Sequence, residues 1–332
     1  MPSRRGEANA GPWTASALAE AVHLAWAAQT LDSLDVLQRL DPPQDAQSLA
    51  QRLGVDAELL AGALEILARR TDLVTCVEGR YLRGPGYDAQ ARFLLNLYVG
   101  AFGPVTSRLA ESLRDPGSAG RRLDADARAR AFDGAPTDAA STLAGILHQL
   151  GLGRVLDLGC GSGLLLTALA SHDPAFRGVG VDVSAAACRS ARRRLRQAGA
   201  SRRVRIIEAD ARDPDGWPLD AGVTIETIVA GDLLNEMMSD EGREAVAWLR
   251  RLRATLPERT LVVADYYGAL GKPGRPGDPR TLLHDFVQLA SGQGVPPPDC
   301  GGWAALYERA GCRLVHALED PHTSRFVHIV KL

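Results

Sequence analysis

The segment from Arg154 to Gly163 has the composition of a ligand-binding turn. Its first part, Val155 to Leu158, is a short apolar run that is typical of a buried strand. Alternating glycines follow, and Leu164 to Ala170 then has the pattern of a helix. A glycine turn between a strand and a helix allows the backbone to approach a ligand with no Cβ atoms in the way. The sequence therefore predicts a ligand site at this turn.

The spacing of the glycines indicates which kind of ligand the turn suits. They are Gly159, Gly161 and Gly163, and position 164 is a leucine. A dinucleotide fingerprint requires G-x-G-x-x-G, which this spacing does not provide. A ligand without phosphates is therefore favoured over a pyrophosphate.

Carboxylates at the ends of the next two predicted strands support this site. The run Gly178–Asp182 ends in an acid that can accept hydrogen bonds from two ribose hydroxyls. The run Val204–Asp210 ends in a second acid, which Ala211 and Arg212 follow. Together with Asp157, three acids thus lie at three successive strand ends.

These residues resemble the class I S-adenosylmethionine-dependent methyltransferases, whose motif is an acid followed by alternating glycines. The resemblance covers residues 150 to 332 and implies S-adenosylmethionine as the cofactor. It implies that Gly159 and Gly161 face the methionine part, that Asp182 binds the ribose, and that Asp210 binds the adenine amino group. The predicted cofactor-binding residues are Asp157, Gly159, Cys160, Gly161, Gly163, Asp182, Val183, Asp210, Ala211 and Gly231.

The predicted elements give an α/β fold class: a Rossmann-like, seven-stranded methyltransferase domain preceded by an all-α, winged-helix dimerisation domain. Further strands are expected at Thr224–Ala230 and Thr260–Ala264, and a closing hairpin at Cys312–Leu318 and Arg325–Val330. The expected parts are a dimerisation and lid domain (1–113), a helical connector (114–149) and the methyltransferase domain (150–332).

The amino-terminal pattern is helix, turn, helix and hairpin, which is typical of a winged helix. Helices are predicted from Ala46 to Leu53 and from Ala57 to Arg70, and a hairpin is predicted between Leu73 and Leu82. The second helix carries acids and apolar bulk where a reader of base edges needs basic or amide side chains, so nucleic acid is not an expected partner. Helices over Ala89–Leu113 and Thr137–Leu150 are expected to connect this module to the methyltransferase domain.

This arrangement resembles small-molecule O-methyltransferases, in which such a module forms a dimer and a lid over the substrate. The resemblance implies a homodimer through the amino-terminal domain. It also implies a small-molecule substrate.

The segment after the fourth strand of the domain departs from that family. Plant-type O-methyltransferases carry His-Asp-Trp there, with the histidine as general base. Asp232 matches the aspartate, and Gly231 replaces the histidine. An acceptor that must lose a proton therefore needs another base, a metal, or greater acidity of its own.

The pair His284 and Asp285 is the best local candidate for that base, because it joins an imidazole that titrates near neutrality to a carboxylate. Its segment is interpreted either as a loop over the pocket or as a helix with a surface or capping histidine. The predicted catalytic residues are His284, Asp285 and Asp232. The predicted substrate-pocket residues are Asn235, Tyr266, Tyr267 and Gln288.

The sequence predicts an S-adenosylmethionine-dependent methyltransferase that acts on a small molecule of specialised metabolism by O- or C-methylation. A metal-assisted C-methyltransferase for α-keto acids is also compatible with it. No metal site is predicted, although His284, Asp285 and either His322 or His328 are weak candidates for ligands. A cofactor-binding cyclase without methyl transfer and a cofactor-sensing winged-helix regulator are the remaining readings of these motifs.

The composition argues against several other classes. The chain has 332 residues and a formal net charge of -2, so no general electrostatic field would gather nucleic acid or an anionic membrane. No uninterrupted run of about 18 apolar residues is present. Because no such run is present and the first residues do not have the pattern of a signal peptide, the protein is expected to be cytoplasmic. Its five cysteines are scattered and are expected to be reduced. The arginines that follow Asp182, from Arg189 to Arg196, are interpreted as a solvated helix face.

Overall fold

The computed structural model describes residues 13–115, 123–219, 224–271, 279–320 and 322–332. The chain divides into two compact units, one that ends at Gly100 and one from Ala101 to Leu332. The division into residues 1–113, 114–149 and 150–332 that the sequence suggests stays a prediction.

The first unit is mainly helical and has its own apolar core. Asp45 and Asp56 begin its second and third helices by accepting backbone hydrogen bonds, from Ser48 (2.9 Å) and Leu59 (2.7 Å). The helices and strands of this unit are α1 (Ala15–Ser33), α2 (Ala46–Leu53), α3 (Ala57–Arg70), β1 (Val74–Val77), β2 (Arg80–Arg83) and α4 (Ala89–Leu94). Both helices and the hairpin lie where the sequence predicts them, and their assignment as a winged helix stays a prediction.

The second unit contains a seven-stranded sheet with helices. The helices are α5 (Gly103–Thr106), α6 (Leu109–Arg114), α7 (Ala125–Asp133), α8 (Asp138–Gln149), α9 (Leu164–His172), α10 (Ala185–Gln197), α11 (Ser239–Thr255), α12 (Pro279–Ala290) and α13 (Cys300–Arg309). The strands are β3 (Val155–Leu158), β4 (Gly178–Asp182), β5 (Val204–Glu208), β6 (Thr227–Gly231), β7 (Thr260–Tyr266), β8 (Arg313–Glu319) and β9 (Arg325–Lys331).

The strand order is β5-β4-β3-β6-β7-β9-β8; the first five strands are parallel, and β9 pairs antiparallel with both β7 and β8. The α/β, Rossmann-like, seven-stranded fold predicted from the sequence is thereby confirmed. Neighbouring strands end at matching positions: Leu158 pairs with both Val181 and Ala230, and Gly231 pairs with Ala264. The residues that follow these strands therefore meet at one edge of the sheet.

The sheet is held by apolar side chains on both of its faces. Leu156 and Leu158 of β3 belong to one buried cluster, whereas Val155 belongs to another. This alternation follows from the two-residue period of a strand. A fully buried leucine contributes about 1.5 to 3 kcal/mol of transfer free energy, so β3 is a firm support for the glycine turn that follows it.

The connection between the units differs from the sequence expectation. The single helix expected over Ala89–Leu113 is instead four short pieces, α4, a π-helix from Leu95 to Ala101, α5 and α6. Gly103 and Pro104 explain the break, because proline is tolerated only in the first turn of a helix. The stretch between the two expected helices contains α7, which begins where Asp124 accepts a hydrogen bond from the Ala127 amide (2.8 Å).

A strand expected from Thr224 begins instead at Thr227, and β5 ends at Glu208, two residues before Asp210. In the described parts of the chain, no helix is both long enough and apolar enough to cross a membrane.

We expect Gly163→Ala to lower the melting temperature more than Gly199→Ala. Both glycines have positive φ, 74° and 65°, so alanine costs about 1 to 2 kcal/mol at either position. At Gly163 the new Cβ would also lie 3.0 Å from the Cβ of Ala191, whereas at Gly199 it meets nothing within 4 Å. Thermal unfolding followed by circular dichroism without cofactor measures the difference, and equal losses would contradict this packing.

Candidate functional site

The glycine turn after β3 is closed by a carboxylate from β4. Asp182 accepts one hydrogen bond from the Gly161 amide (2.9 Å) and one from the Ser184 amide (2.8 Å), on different oxygens. Gly161 has a φ of 53°, a region that favours glycine. Because each carboxylate oxygen has two lone pairs, Asp182 can still accept two ribose hydroxyls.

The next strand ends supply a surface suited to an adenine ring. Val183 is 70% exposed although it is apolar, and it directly follows Asp182. Asp210 is exposed, and the indoles of Trp217 (2.8 Å) and Trp248 (2.9 Å) donate to the carbonyl oxygens of Asp210 and Ala211. The two indoles fix the backbone of this turn, and the Asp210 carboxylate extends from a rigid support.

Asp157 is a buried acid with no hydrogen-bond partner among the described residues, and it lies at this same edge. Burial and the charge of Asp182 raise the pKa of Asp157 to about 7. A cationic group bound beside it would stabilise its ionised form. Cys160, directly before Gly161, is buried, and burial raises the pKa of its thiol, which keeps it neutral.

S-adenosylmethionine carries groups that suit each of these side chains. Its ammonium suits Asp157, its ribose hydroxyls suit Asp182, and its adenine suits Val183 and Asp210. A Cβ at Gly161 or at Gly231 would meet nothing within 4 Å, so both positions leave open space at this edge. The residues present therefore fit this cofactor. Gly159, with a φ of 71°, completes the turn.

The ends of β6 and β7 carry a second group of polar side chains. Asp232, which follows β6, binds the guanidinium of Arg325 on β9 through both oxygens, at 2.7 and 2.9 Å. Such paired contacts fix the orientation of both side chains. Both are only about half buried, so the pair is accessible from this edge.

A second acid in this group lies between two arginines. Glu236 is nearly buried and accepts hydrogen bonds from Arg128 of α7 and from Arg212 (2.8 Å). Arg212 also lies 3.4 Å from Glu244. We call this group of side chains beyond β6 and β7 the polar centre. It carries charges of both signs.

His284 lies on α12, so its segment is a helix, but the histidine is partly buried and is not the surface residue that the helical interpretation assumed. Its ring is edge-on to Tyr266 at 5.2 Å and to Phe102 at 6.3 Å between centroids. Burial lowers the pKa of His284, and the charge of Asp232 acts in the opposite direction. A neutral imidazole is therefore available at neutral pH.

Asp285 is buried and its hydrogen bonds are made within the protein. Its oxygens accept from the Tyr266 hydroxyl (2.9 Å) and from the amides of Ala269 (2.6 Å) and Leu270 (2.9 Å). Gln288, also buried, lies 2.8 Å from the same hydroxyl. These contacts hold α12 on the segment after β7, and the role they suggest for Asp285 is to position His284.

Asn235 is the predicted pocket residue with an unused polar atom. It is buried, and its Oδ1 has no hydrogen-bond partner in the described structure. The backbone amide of Asn235 donates to the Asp265 carboxyl near the end of β7 (3.1 Å). Burial and the charge of Asp232 raise the pKa of Asp265 well above its usual range, which favours its neutral form.

The two adjacent tyrosines point in different directions. Tyr266 contacts His284, whereas Tyr267 packs on Phe326 at 4.6 Å and hydrogen-bonds Glu319 (2.5 Å) and His328 (3.1 Å). Tyr266 is the one that the geometry brings to the candidate site.

The structure does not bring the weak metal candidates together. Among the described residues, no three His, Cys, Asp or Glu side chains are arranged to hold a metal ion. His322 lies in the turn between β8 and β9, where its amide donates to Asp320 (2.8 Å), and His328 is buried between two tyrosine hydroxyls.

Sequence reasoning missed four residues of this centre: Arg325, Arg128, Glu236 and Asp265. Asp265 ends a predicted strand, so the rule that found Asp182 and Asp210 could also have found it. Nothing local marks Arg325 or Arg128, because their partners Asp232 and Glu236 are 93 and 108 positions away.

Comparison with known proteins agrees with this geometry. Residues 155–255 match the family described as methyltransferase domain. A 2-ketoarginine methyltransferase from Streptomyces arginensis is 25% identical over 304 residues, which cover 85% of this chain and 82% of that protein. The structure of the mitomycin 7-O-methyltransferase has a TM-score of 0.70 at 20% identity, and the match covers 95% of this chain and 96% of that one.

An O-methyltransferase from neocarzinostatin biosynthesis, solved with S-adenosylmethionine and 2-hydroxy-5-methyl naphthoic acid, has a TM-score of 0.62 at 22% identity over 97% of this chain and 99% of that one. The fold, the glycine turn with its three acids and the matched domain define a class I S-adenosylmethionine-dependent methyltransferase. This chain is an enzyme of that class, and its cofactor is S-adenosylmethionine.

We expect cofactor affinity to depend on pH through Asp157. Below pH 7 the free carboxyl is mostly protonated, and binding a cation beside it requires the loss of that proton. The association constant should rise by up to about tenfold per pH unit between pH 5.5 and 7, and then level off. Titration calorimetry measures it. Asp157→Asn should bind more weakly at neutral pH and lose this slope, and an unchanged slope in the variant would contradict the assignment.

Proposed function

We propose that this methyltransferase acts on a small molecule of specialised metabolism that carries a carboxylate, and that its reaction is the C-methylation of a 2-keto acid. The observation that carries the proposal is the neutral imidazole of His284 in the same centre as the Asp232–Arg325 pair, beyond the ends of β6 and β7. A base and a guanidinium together suit an acceptor that must form an enolate.

His284 is proposed as the general base. Its lowered pKa leaves it unprotonated at neutral pH, so it can accept a proton from the carbon next to the keto group. Asp285 positions it by holding α12 through Tyr266 and through the amides of Ala269 and Leu270.

Arg325 is proposed to bind the acid and stabilise the enolate. A guanidinium has five N–H donors, and the contacts to Asp232 leave some of them for a second anion. A fixed positive charge where negative charge develops typically contributes about 3 to 4 kcal/mol to catalysis. Asn235, with its unpartnered Oδ1, is proposed to accept a hydrogen bond from the substrate.

S-adenosylmethionine, when bound, supplies an electrophilic methyl group on a positively charged sulfur. Asp182, Asp157, Val183 and the turn up to Gly163 are proposed to hold it. The chain's own part in the reaction is to orient the acceptor, to remove its proton and to offset the resulting charge.

The relative from Streptomyces arginensis supports the acceptor class, because its name states that it methylates a 2-keto acid and the similarity extends over 85% of this chain. A metal-assisted form of this reaction has less support, since the described residues contain no set of metal ligands. In the proposed reaction the Arg325 guanidinium offsets the enolate charge that a bound ion would otherwise offset.

A cyclase and a DNA-binding regulator are separable from a methyltransferase by simple observations. A cyclase would give a product without an added CH2. A DNA-binding regulator is disfavoured by α3, whose basic residues Arg69 and Arg70 pair with Glu65 and Glu20. The acids beside these two arginines offset their positive charge, which disfavours binding to a phosphate backbone.

We expect the purified enzyme to add one methyl group at carbon 3 of a 2-keto acid, and not to the matching 2-amino acid. His284→Gln should lower kcat by about 10² to 10⁴. It should also stop exchange of the carbon-3 hydrogens in D2O without cofactor. In the native enzyme, kcat should fall only at a pH below that at which an ordinary histidine becomes protonated, because burial lowers the pKa of His284. Mass spectrometry and proton NMR measure these outcomes.

His316→Gln is the matched control, because His316 is an exposed imidazole on β8 outside this centre. If His316→Gln methylates at the native rate, and deuterium exchange is lost only in His284→Gln, the role of His284 as general base is supported. Methylation at oxygen or nitrogen, or exchange that persists in His284→Gln, would overturn the proposed reaction.

We also propose that the chain forms a homodimer through its amino-terminal domain and works in the cytoplasm. On α1, Leu18, Val22 and Trp26 are four residues apart and are 52%, 52% and 42% exposed, so one helix face is apolar. The resemblance to small-molecule O-methyltransferases implies that a second copy of the chain packs against this face. All five cysteines are free, which fits a reducing compartment.

We expect the double variant Val22→Asp/Trp26→Asp to be monomeric, because a charge on each side of the interface would have to be buried. Light scattering after size exclusion measures the mass. Val315→Asp is the control, since Val315 is equally exposed (49%) but lies on β8. A monomeric native chain, or a dimer that survives the double variant, would contradict this interface.

A further inference from the structure

A cavity of about 740 Å³ lies at the opposite edge of the sheet from the candidate site. Its walls come from the first residues of three parallel strands, from α10 and from the segment before β6. Of the sixteen described residues that line it, seven are arginines and none is an acid.

Two of the arginines are fixed by backbone carbonyls. Arg203 donates to the carbonyls of Asp173 (3.1 Å) and Ala170 (3.4 Å), and Arg192 donates to that of Ile206 (3.0 Å). A carbonyl contact orients a guanidinium without cancelling its charge. The cavity therefore has two pre-oriented cations in its wall.

Most of the positive charge around the cavity is uncompensated. Arg177, Arg196 and Arg202 are exposed and form no ion pair with any residue in the described part of the chain. Arg154 lies 3.3 Å from Glu226, and both of these side chains are exposed. Charges of one sign around a concave surface focus the field and raise the local concentration of anions.

The cavity also has an apolar wall, which is backed by Val155, Val179, Leu195, Ile206 and Ile225; these residues are buried, each with at most 8% of its surface exposed. A ligand that fills it would thus have an anionic part and an apolar or aromatic part. The volume lies in the range of about 300 to 1,000 Å³ that is usual for small-molecule pockets. A nucleic acid would need a basic stripe along the surface, whereas these arginines converge on one cavity.

We propose that this cavity is a second ligand site, for a small compound that joins two or more phosphate groups to an apolar or aromatic part, as a nucleoside triphosphate does. Guanidinium groups bind phosphate oxygens with paired, charge-assisted hydrogen bonds, and arginine suits this geometry better than lysine does. The sequence interpretation of the arginines on α10 as a solvated face is thus revised for Arg192 and Arg196.

This site is separate from the cofactor site. The cavity lies at the amino ends of β3, β4 and β5, and the predicted cofactor residues lie at their carboxyl ends. Five residues of β4 separate the two edges, which is about 16 Å of strand. Both ligands can therefore be bound at the same time.

Titration calorimetry with ATP and with inorganic triphosphate tests the proposal on the full chain. The buffer contains EDTA, low salt and saturating S-adenosylhomocysteine, which keeps the adenine of ATP out of the cofactor site. We expect saturable one-to-one binding of both probes, tighter for ATP, and none for adenosine. In Arg177→Gln/Arg202→Gln, the Kd for both probes should rise by at least about tenfold per lost charge-assisted contact.

The matched control is Arg189→Gln/Arg243→Gln, which also removes two positive charges. Arg189 is exposed on α10 but does not line the cavity, and Arg243 is exposed on α11. The control should bind both probes as the native chain does, and both double variants should bind S-adenosylhomocysteine normally.

No saturable binding of either probe to the native chain, or equal weakening in the two double variants, would overturn the site. Equal affinity for ATP and inorganic triphosphate would overturn the part assigned to the apolar wall. Neither result affects the methyltransferase assignment, which rests on the other edge of the sheet.

Discussion

The hydrogen-bonded register of five parallel strands is the constraint on which the rest of this structure depends. Because β4, β3, β6 and β7 end at matching positions, the residues after them are brought to one edge although they are far apart in the sequence. A shift of one residue would turn every side chain of a strand to the other face. Asp182 could then not reach the Gly161 amide, and the cofactor turn would lose the carboxylate that closes it.

The part of the site that the sequence predicts is the part made by local structure. A strand, a glycine turn and a helix follow one another within residues 154–172, so their signals are contiguous. The left-handed backbone at Gly159, Gly161 and Gly163 is what the glycine spacing indicates. Asp182 and Asp210 are also predictable, because Asp182 ends a strand and Asp210 lies two residues beyond one, and the apolar pattern of both strands is clear.

The polar centre beyond β6 and β7 is less predictable, because its contacts are made between elements that are distant in the sequence. Arg325 looks from the sequence like one more residue of a closing strand, and only the antiparallel pairing of β9 with β7 brings it to Asp232. His284 can be recognised as a titratable residue, but its helix and its depressed pKa depend on packing against Tyr266 and Phe102. The helix break at Gly103 and Pro104 has a local signal, whereas helix α7 follows a segment whose composition suggests a loop.

A partly buried histidine, His284, and a fully buried one, His328, show how packing assigns chemistry to one residue type. Burial lowers the pKa of His328 to about 4, and its two ring nitrogens lie 3.1 Å from the hydroxyls of Tyr267 and Tyr307. With both nitrogens engaged inside the core, His328 has no site at which to accept a substrate proton. His284 is held by ring edges, close enough to Asp232, Glu236 and Arg325 to respond to their charges. His284, which lies in the polar centre, is therefore the imidazole suited to proton transfer, whereas His328 stabilises the fold.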